Sequence, residues 1–453
     1  MTTETKVDRT KKAKKKSTVR HTRAIQRDRS KRPLSTPTDE QLTAWITELV
    51  HPATLAQVSY FHGLGLRERI LTLPVMMAFV LSMLWRQIGS ASELVRVVQT
   101  EALLWAKPLA HLSEKALNSR LRSLPATLFW RVLAELLPLL QARWAERRRP
   151  LTPELAWART HYTEVLACDG STLDALLRKV GLLQDAESTP LAGRMMGLLD
   201  LCSQLPRRLW YEDDAEAHDQ RFWPTLQAAL RAGSLLIFDL GFTNFQVFAD
   251  LTKAQVTFIT RAKANLAYQV ERTLLRSAAV HDELVWIGRG EQRQQLRLVR
   301  VLYQGKWYRY LSNDLDPLHL PVPYLVALYW QRWRIEDAYN IVKRLLGLAF
   351  FWCGAQNAIE MQLAATWLLY AVLVDLTDAV AETLNLRFSR LSMEMVYRSL
   401  YFFAQAYQRG EATDVVAYLA LHATQLGIIK RLRKRGQPSL LGSLINLTNS
   451  ASP

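Results

Sequence analysis

Cysteine is scarce in this chain. Three occur in 453 residues, Cys168, Cys202 and Cys353, odd in number and widely spaced. They form neither a disulfide framework nor a zinc signature, and they suit a reducing compartment. No His/Cys pair has metal-finger spacing, and the nine histidines are scattered. No G-x-x-x-x-G-K-[ST] loop is present, which argues against an ATP-driven motor. The amino-terminal stretch is positive but leads into no apolar core, so it does not read as a secretory signal. The longest apolar stretch, Leu71 to Trp85, has 15 residues with Pro74 and Ser82 inside it. That is short for a membrane span and reads as a buried helix. Leu363 to Val374 is shorter still and ends at Asp375, so no membrane partner is expected.

The chain is rich in apolar residues and positive charge. Hydrophobic residues make up 49% of it, ample for buried cores, and 453 residues suggest two or three domains. The formal net charge is +17, and residues 1–32 hold 13 Lys/Arg against 3 Asp/Glu. Such an arm is disordered by composition and attracts polyanions, nucleic acid first; a solubilising tail is the alternative.

Two short apolar runs each end in an aspartate. VLACDGSTL places Asp169 after Val165–Cys168 with a Gly turn directly behind it, and SLLIFDLGF places Asp239 after Leu235–Phe238 and before Gly241. Runs of this length bounded by turn residues read as buried central strands. A carboxylate at the tip of such a strand is held rigidly at the sheet edge; a helix cap or turn is the commoner use of Asp before Gly.

Further on, YWQRWRIEDAYNIVKRLLGL reads as one helix. Arg332, Glu336 and Lys343 stand 3, 7 and 14 positions after Tyr329. At about 100° per residue all four share an arc of about 60°, while Trp330, Ile335, Ala338, Ile341, Val342, Leu345 and Leu346 face the core. Arg334 falls inside that apolar arc, and Asp337 points away from the polar one. A carboxylate flanked by two cations and a phenol suits a phosphodiester: Glu336 for a metal ion, Arg332 and Lys343 for backbone phosphates. A solvated polar face with i,i+4 ion pairs is the alternative. Alanine at Arg332 or Lys343 is expected to leave the core face intact and to shift stability little.

Taken together, Asp169, Asp239 and Glu336 resemble the D-D-E triad of insertion-sequence transposases. Tyr329, Arg332, Glu336 and Lys343 match the Y-(2)-R-(3)-E-(6)-K signature of the insertion-sequence-four family. The resemblance continues in Asp169-Gly170-Ser171-Thr172, in Asp239-Leu240-Gly241-Phe242 and in Phe258-Ile259-Thr260-Arg261-Ala262-Lys263, and covers roughly residues 160 to 375. It departs at Leu240, where many relatives carry Arg, which removes a phosphate contact there and leaves the carboxylates untouched.

The resemblance implies an α/β fold: an RNase H-like catalytic core interrupted by an all-β insertion, with helical N-terminal and C-terminal regions. The corresponding segments are a disordered basic arm and linker at 1–37, a helical DNA-binding domain at 38–150, and a first core part at 151–264. A β-strand insertion at 265–320, the carboxylate helix at 321–377 and a helical carboxy-terminal region at 378–453 follow. Strands are expected around Met195–Cys202, Arg208–Tyr211 and Val256–Thr260, with a helix near Phe222–Ala232. The Arg147-Arg148-Arg149-Pro150 run marks a boundary, Pro321 and Pro323 open the Glu336 helix, and Lys430–Arg435 is a second basic run. Arg120 and Arg122, on a helix beginning near Ser113, are candidates for base reading, and a plain surface helix is the alternative. Trp307 and Trp286 are candidates for base stacking, with ordinary β-face packing as the alternative, and Lys263 for a backbone contact.

The chemistry implied is DNA cleavage at insertion-sequence ends and strand transfer into target DNA. Asp169, Asp239 and Glu336 would hold two Mg²⁺ or Mn²⁺ ions. The partners implied are transposon-end and target DNA and a second copy of the chain in a DNA-bound homodimer. The implied location is the bacterial cytoplasm, at the nucleoid when DNA is bound. A solely hydrolytic nuclease and a decayed DNA-binding protein are the rival readings.

Overall fold

Among the described residues nine strands lie between a helical amino-terminal part and a helical carboxy-terminal part. The structure, a computed structural model, describes residues 40–66, 69–173, 193–214, 217–242, 244–348, 351–352, 355–431 and 440–449. The basic arm, Cys353 and most of the Lys430–Arg435 run lie outside the described residues. The strands are β1 (Val165–Thr172), β2 (Arg194–Asp200), β3 (Pro206–Glu212), β4 (Leu235–Phe238), β5 (Thr257–Arg261), β6 (Tyr268–Arg276), β7 (Val280–Ile287), β8 (Gln294–Tyr303) and β9 (Lys306–Ser312). All nine lie in one sheet of order β3-β2-β1-β4-β5-β9-β8-β7-β6. β1 pairs parallel with β4 and β4 with β5, and the other neighbours are antiparallel. The strands of residues 265–320 thus continue the central sheet through β9 and β5.

Helices cover both faces, which is why the parallel strands are apolar on both sides. Alternation along a strand decides which residue meets which layer. Val165 and Ala167 of β1, with Leu235 and Ile237 of β4, pack against the larger helical layer. Leu166 and Cys168, with Leu236 and Phe238, meet Phe222, Leu226, Val247, Phe248 and Leu251 on the other face. The larger layer gathers the helices before β1 and those after β9 around one core.

At its centre runs the helix Gln356–Thr383, 28 residues long. It is long and apolar enough to cross a membrane, yet its apolar window is buried within the protein. The apolar stretch Leu363–Val374 ends at Asp375, and the helix runs on to Thr383. The helix continues because arginines neutralise its acids: Arg147 Nη2 lies 2.7 Å from Asp375, Arg147 Nε 3.3 Å from Asp378, and Arg149 pairs with Asp378. The Arg147–Arg149 run is therefore a clamp between helices. Arg148 joins it through its backbone N–H, which donates to Glu382 Oε1 at 2.7 Å.

Three local expectations also change. β1 runs through Asp169 and Gly170 to Thr172, because β2 continues to pair with it as far as Thr172↔Arg194. In place of a helix over Phe222–Ala232 there is a 3-10 turn, Asp219–Phe222, and a short helix, Trp223–Gln227. The segment after Pro321 is broken into a helix Val322–Gln331, a helix Trp333–Asn340 and a π-turn Ile341–Leu345. At the break the Arg332 N–H donates to the Tyr329 carbonyl, three residues back, in place of the α-helical bond.

A buried ion pair fixes how this segment leaves the sheet. Arg297 of β8 is fully buried and donates to both carboxylate oxygens of Asp282 on β7, at 2.8 and 2.7 Å. Its Nη1 donates to the carbonyls of Asp316 (3.3 Å) and Leu320 (2.6 Å), the latter directly before Pro321. Arg297→Ala would leave the Asp282 carboxylate buried without its cation. A loss of about 3–5 kcal/mol of stability is expected in chemical denaturation. Replacing both partners by apolar residues of similar volume, Arg297→Met with Asp282→Leu, should recover most of it.

Candidate active site

The geometry of the sheet brings the two aspartates together. The last parallel pair between β1 and β4 is Cys168↔Phe238, so Asp169 and Asp239 are the next residues on adjacent chains. This is the carboxyl end of parallel strands, where α/β sheets form crevices. Asp169 shares its side of β1 with Val165 and Ala167, and Asp239 follows the parity of Leu235 and Ile237. Both carboxylates therefore face the layer that carries Tyr329, Arg332 and Glu336.

Arg332 sits among the three carboxylates. Its Nη1 donates to Asp169 Oδ2 at 2.8 Å and its Nη2 to Glu336 Oε1 at 3.0 Å, with Asp239 Oδ2 at 3.8 Å. The Arg332 side chain is only 4% exposed, whereas Asp169, Glu336 and Asp239 are 20%, 35% and 44% exposed. The expectation of a surface arginine is thus corrected: Arg332 faces the strand ends, where its pairs with Asp169 and Glu336 hold the guanidinium inward. It lies 4.9 Å from the Trp333 ring, and its Nε is buried without a hydrogen-bond partner. Tyr329, also buried, donates its hydroxyl to Asp239 Oδ1 at 3.3 Å. Burial and the neighbouring Asp239 push that phenol above its ordinary range. Lys343, on the π-turn, donates to the Thr172 carbonyl at 2.5 Å, at the far end of β1.

Burial raises the Asp169 carboxyl to about 6; Arg332 pulls it down and Glu336 pushes it up. The Asp169 Oδ1 accepts from the Gly170 N–H at 2.9 Å. Tyr339 donates to the Asp169 carbonyl at 2.6 Å, reaching across β2 where Gly197 stands opposite Asp169. A Cβ at Gly197 would stand 2.7 Å from that hydroxyl, so only glycine admits the contact.

Sequence reasoning missed Tyr339, Gly197, Arg194 and Asp219. Arg194 of β2 donates to Asp219 Oδ1 through Nε (2.9 Å) and Nη2 (2.5 Å), and to Thr172 Oγ1 at 3.5 Å. Tyr339 could have been found three positions after Glu336. Asp219 carries no signal, since a four-residue 3-10 turn has no periodicity to read.

The remaining predicted residues are engaged elsewhere or exposed. Arg334 pairs with Asp337 at 3.3 Å, which accounts for an arginine on the apolar arc. Arg120 is turned inward: its Nε donates to the Leu71 carbonyl at 3.0 Å, and burial lowers its pKa. Its guanidinium also lies 5.5 Å from the Phe61 ring, and the side chain is half-buried. Arg122 and Lys263 are exposed. Trp307 is 44% exposed, with its ring 5.0 Å from that of His281, and Trp286 lies under the Arg293 guanidinium.

Acidic side chains thus gather at the parallel strand ends of a mixed sheet. Comparison with known proteins gives matches to part of the chain. Residues 194–371 match the model of the transposase DDE domain. A Sinorhizobium fredii protein described as a transposase is 27% identical over 241 residues, 47% of this chain and 66% of the relative. A Geobacillus stearothermophilus protein described as a transposase for the insertion sequence element IS5377 is 22% identical over 174 residues, 37% of this chain and 46% of the relative. The matches thus span less than two thirds of these relatives. A solved structure, a piggyBac transposase synaptic complex with hairpin DNA, aligns over 89% of this chain and 85% of its own at 13% identity, with a TM-score of 0.39. The chain is thus similar, over residues 194–371, to the transposase DDE domain.

Two expectations follow from the ion cluster. Arg332→Ala would leave Asp169 and Glu336 facing each other without their cation. At neutral pH it should cost about 3–5 kcal/mol in denaturation, against a much smaller change for Lys343→Ala. The second concerns pH. The Asp169 pKa is raised in the folded state, from 3.8 to about 6. The folded protein therefore holds the proton more tightly, and this stability is full below about 4 and lost as pH rises through about 6. Asp169→Asn removes that dependence. The stability of the variant relative to the native protein should rise by on the order of 2 kcal/mol between pH 4 and pH 7.

Proposed function

We propose that this chain is a DNA transposase that cleaves the ends of an insertion sequence and joins them to target DNA. The observation that carries the reading is the meeting of Asp169, Asp239 and Glu336 at one guanidinium, from positions 70 and 97 residues apart in sequence. The family match over residues 194–371 supports it. The finer membership is the insertion-sequence-four family, supported by Tyr329, Arg332, Glu336 and Lys343 at its signature spacing. In the same reading β1 to β5 form an RNase H-like core, β6 to β9 an all-β insertion, and the helices before β1 an end-binding region.

Membership of that family would imply divalent ions, and the side chains present suit them in donor chemistry. All three are carboxylates, the hard oxygen donors preferred by Mg²⁺ and Mn²⁺. As arranged, the carboxylates surround Arg332, and among the described residues no three His, Cys, Asp or Glu form a group that could hold one ion. Asp169, Asp239 and Glu336 would hold two ions once that guanidinium yields, and the ions would supply nucleophile activation and leaving-group stabilisation. The chain's own residues do the rest. Tyr329 orients Asp239 and Tyr339 anchors the backbone of Asp169; in this reading Arg332 and Lys343 would receive phosphates beside the scissile bond once released from their present partners. Exposed Lys263 and Arg122 would add backbone contacts, and Trp307 a stacking surface for an unpaired base. The partners are transposon-end and target DNA, bound by a homodimer in the bacterial cytoplasm.

The test uses DNA carrying the sequences that flank the gene. With Mg²⁺, the native chain should cut at inverted repeats and transfer the ends into a plasmid target. Asp169→Asn, Asp239→Asn and Glu336→Gln should each abolish cutting while end binding in a mobility-shift assay persists. Cutting without joined products would make the protein a nuclease, and normal cutting by any one variant would remove that residue from the role.

A further inference from the structure

We infer that Asp219, held by Arg194, is a positioning residue that sets the spacing between the Asp169 and Asp239 chains from behind the sheet. The inference rests on the function proposed above and concerns residues outside its carboxylate triad.

Neighbouring residues in a strand point to opposite faces. Asp169 faces the Glu336 layer, so Gly170 faces the other side, where the turn Asp219–Phe222 packs. The Asp219 carboxylate lies against two glycines at once. A Cβ on Gly170 would overlap its Oδ1, and a Cβ on Gly241 would stand 2.7 Å from its Oδ2. Neither glycine has a positive φ. The space taken by Asp219, and no backbone demand, therefore excludes side chains at both. Gly170 directly follows Asp169, and Gly241 is two residues after Asp239. One carboxylate is thus wedged between the two segments that carry the acids.

The wedge is itself fixed. Both hydrogen bonds from Arg194 reach Asp219 Oδ1, and the same guanidinium reaches Thr172 Oγ1. The Thr172 carbonyl in turn accepts from Lys343, seven residues after Glu336. A polar chain from Asp219 through Arg194 and Thr172 to Lys343 thus links β1 to the π-turn that follows the Glu336 helix, while Asp219 meets the Asp239 segment by packing against Gly241, and no triad side chain is used. Support of this kind commonly sets metal affinity, and its loss costs about 10–100-fold.

The experiment is a size-exchange cycle in the full chain. Mn²⁺ binding is read by calorimetry and end cleavage by titration with Mg²⁺. Asp219→Ala should weaken Mn²⁺ binding about tenfold or more and shift the Mg²⁺ requirement upward by a similar factor, with end binding retained. Gly241→Ala should weaken Mn²⁺ binding as well, because its methyl displaces the carboxylate. The double variant should bind Mn²⁺ better than Gly241→Ala alone, since the methyl then fills the space left by Asp219. A native isotherm for Asp219→Ala, or a double variant whose losses simply add, overturns the inference. If Asp219→Ala fails to fold, Arg194→Lys, which keeps the charge and loses the fork, should still weaken Mn²⁺ binding several-fold; an unchanged affinity overturns the inference there too. A native chain that binds no Mn²⁺ would overturn the proposed function beneath it.

Discussion

Three carboxylates drawn from distant parts of a chain repel one another, and the site is built around the one group that offsets this. Arg332 touches Asp169 and Glu336 directly and stands near Asp239, with almost none of its own side chain in water. Burying a guanidinium costs free energy unless it is paired, and Asp169, the most buried of the three carboxylates, shares that cost. Each side of the cluster is tolerable only because the other is there. Its consequence is seen in Asp169, whose carboxyl is raised by burial in spite of the adjacent cation. One positive charge does not neutralise the group, and the residual acidity is what a divalent ion would meet.

Helical spacing makes this arrangement possible. Arg332 and Glu336 stand one turn apart, so both side chains reach the strand ends from one face. Arg332 is covered there while Glu336 stays partly open to solvent. Upstream, Arg297 grips the Leu320 carbonyl, so the position of this whole segment is referred back to β7 and β8. Strands far from the carboxylates in sequence thereby help to aim them.

Much of this was legible in the sequence, and the limits follow from which signals are local. The runs Val165–Cys168 and Leu235–Phe238 read as buried strands because apolar continuity is a local property. Tyr329, Arg332 and Glu336 could be grouped because they lie within one short stretch. What the sequence hid was the partner of each charge. Arg147 to Arg149 read as a boundary, since a basic run is usually solvated, yet their acids lie more than two hundred residues later, at Asp375 and Asp378. Arg120 read as an outward base reader for the same reason, though it is committed to the Leu71 carbonyl. The interruption between the helices Val322–Gln331 and Trp333–Asn340 has neither Pro nor Gly to announce it.

The glycines beside the two aspartates acquire a meaning that turn propensity did not supply. Gly170 lies within a strand and Gly241 in a 3-10 turn, and both lack a side chain where Asp219 needs the room. On the opposite face, Gly197 makes the same allowance for Tyr339, which binds the Asp169 backbone. The Asp169 segment is therefore braced from both faces of the sheet, by a phenol on one side and a carboxylate on the other. A strand end braced on one side alone could rotate about its own axis and turn its carboxylate away. With both faces filled that rotation requires a clash, so the side chain of Asp169 is aimed by the packing of all three layers as well as by Arg332.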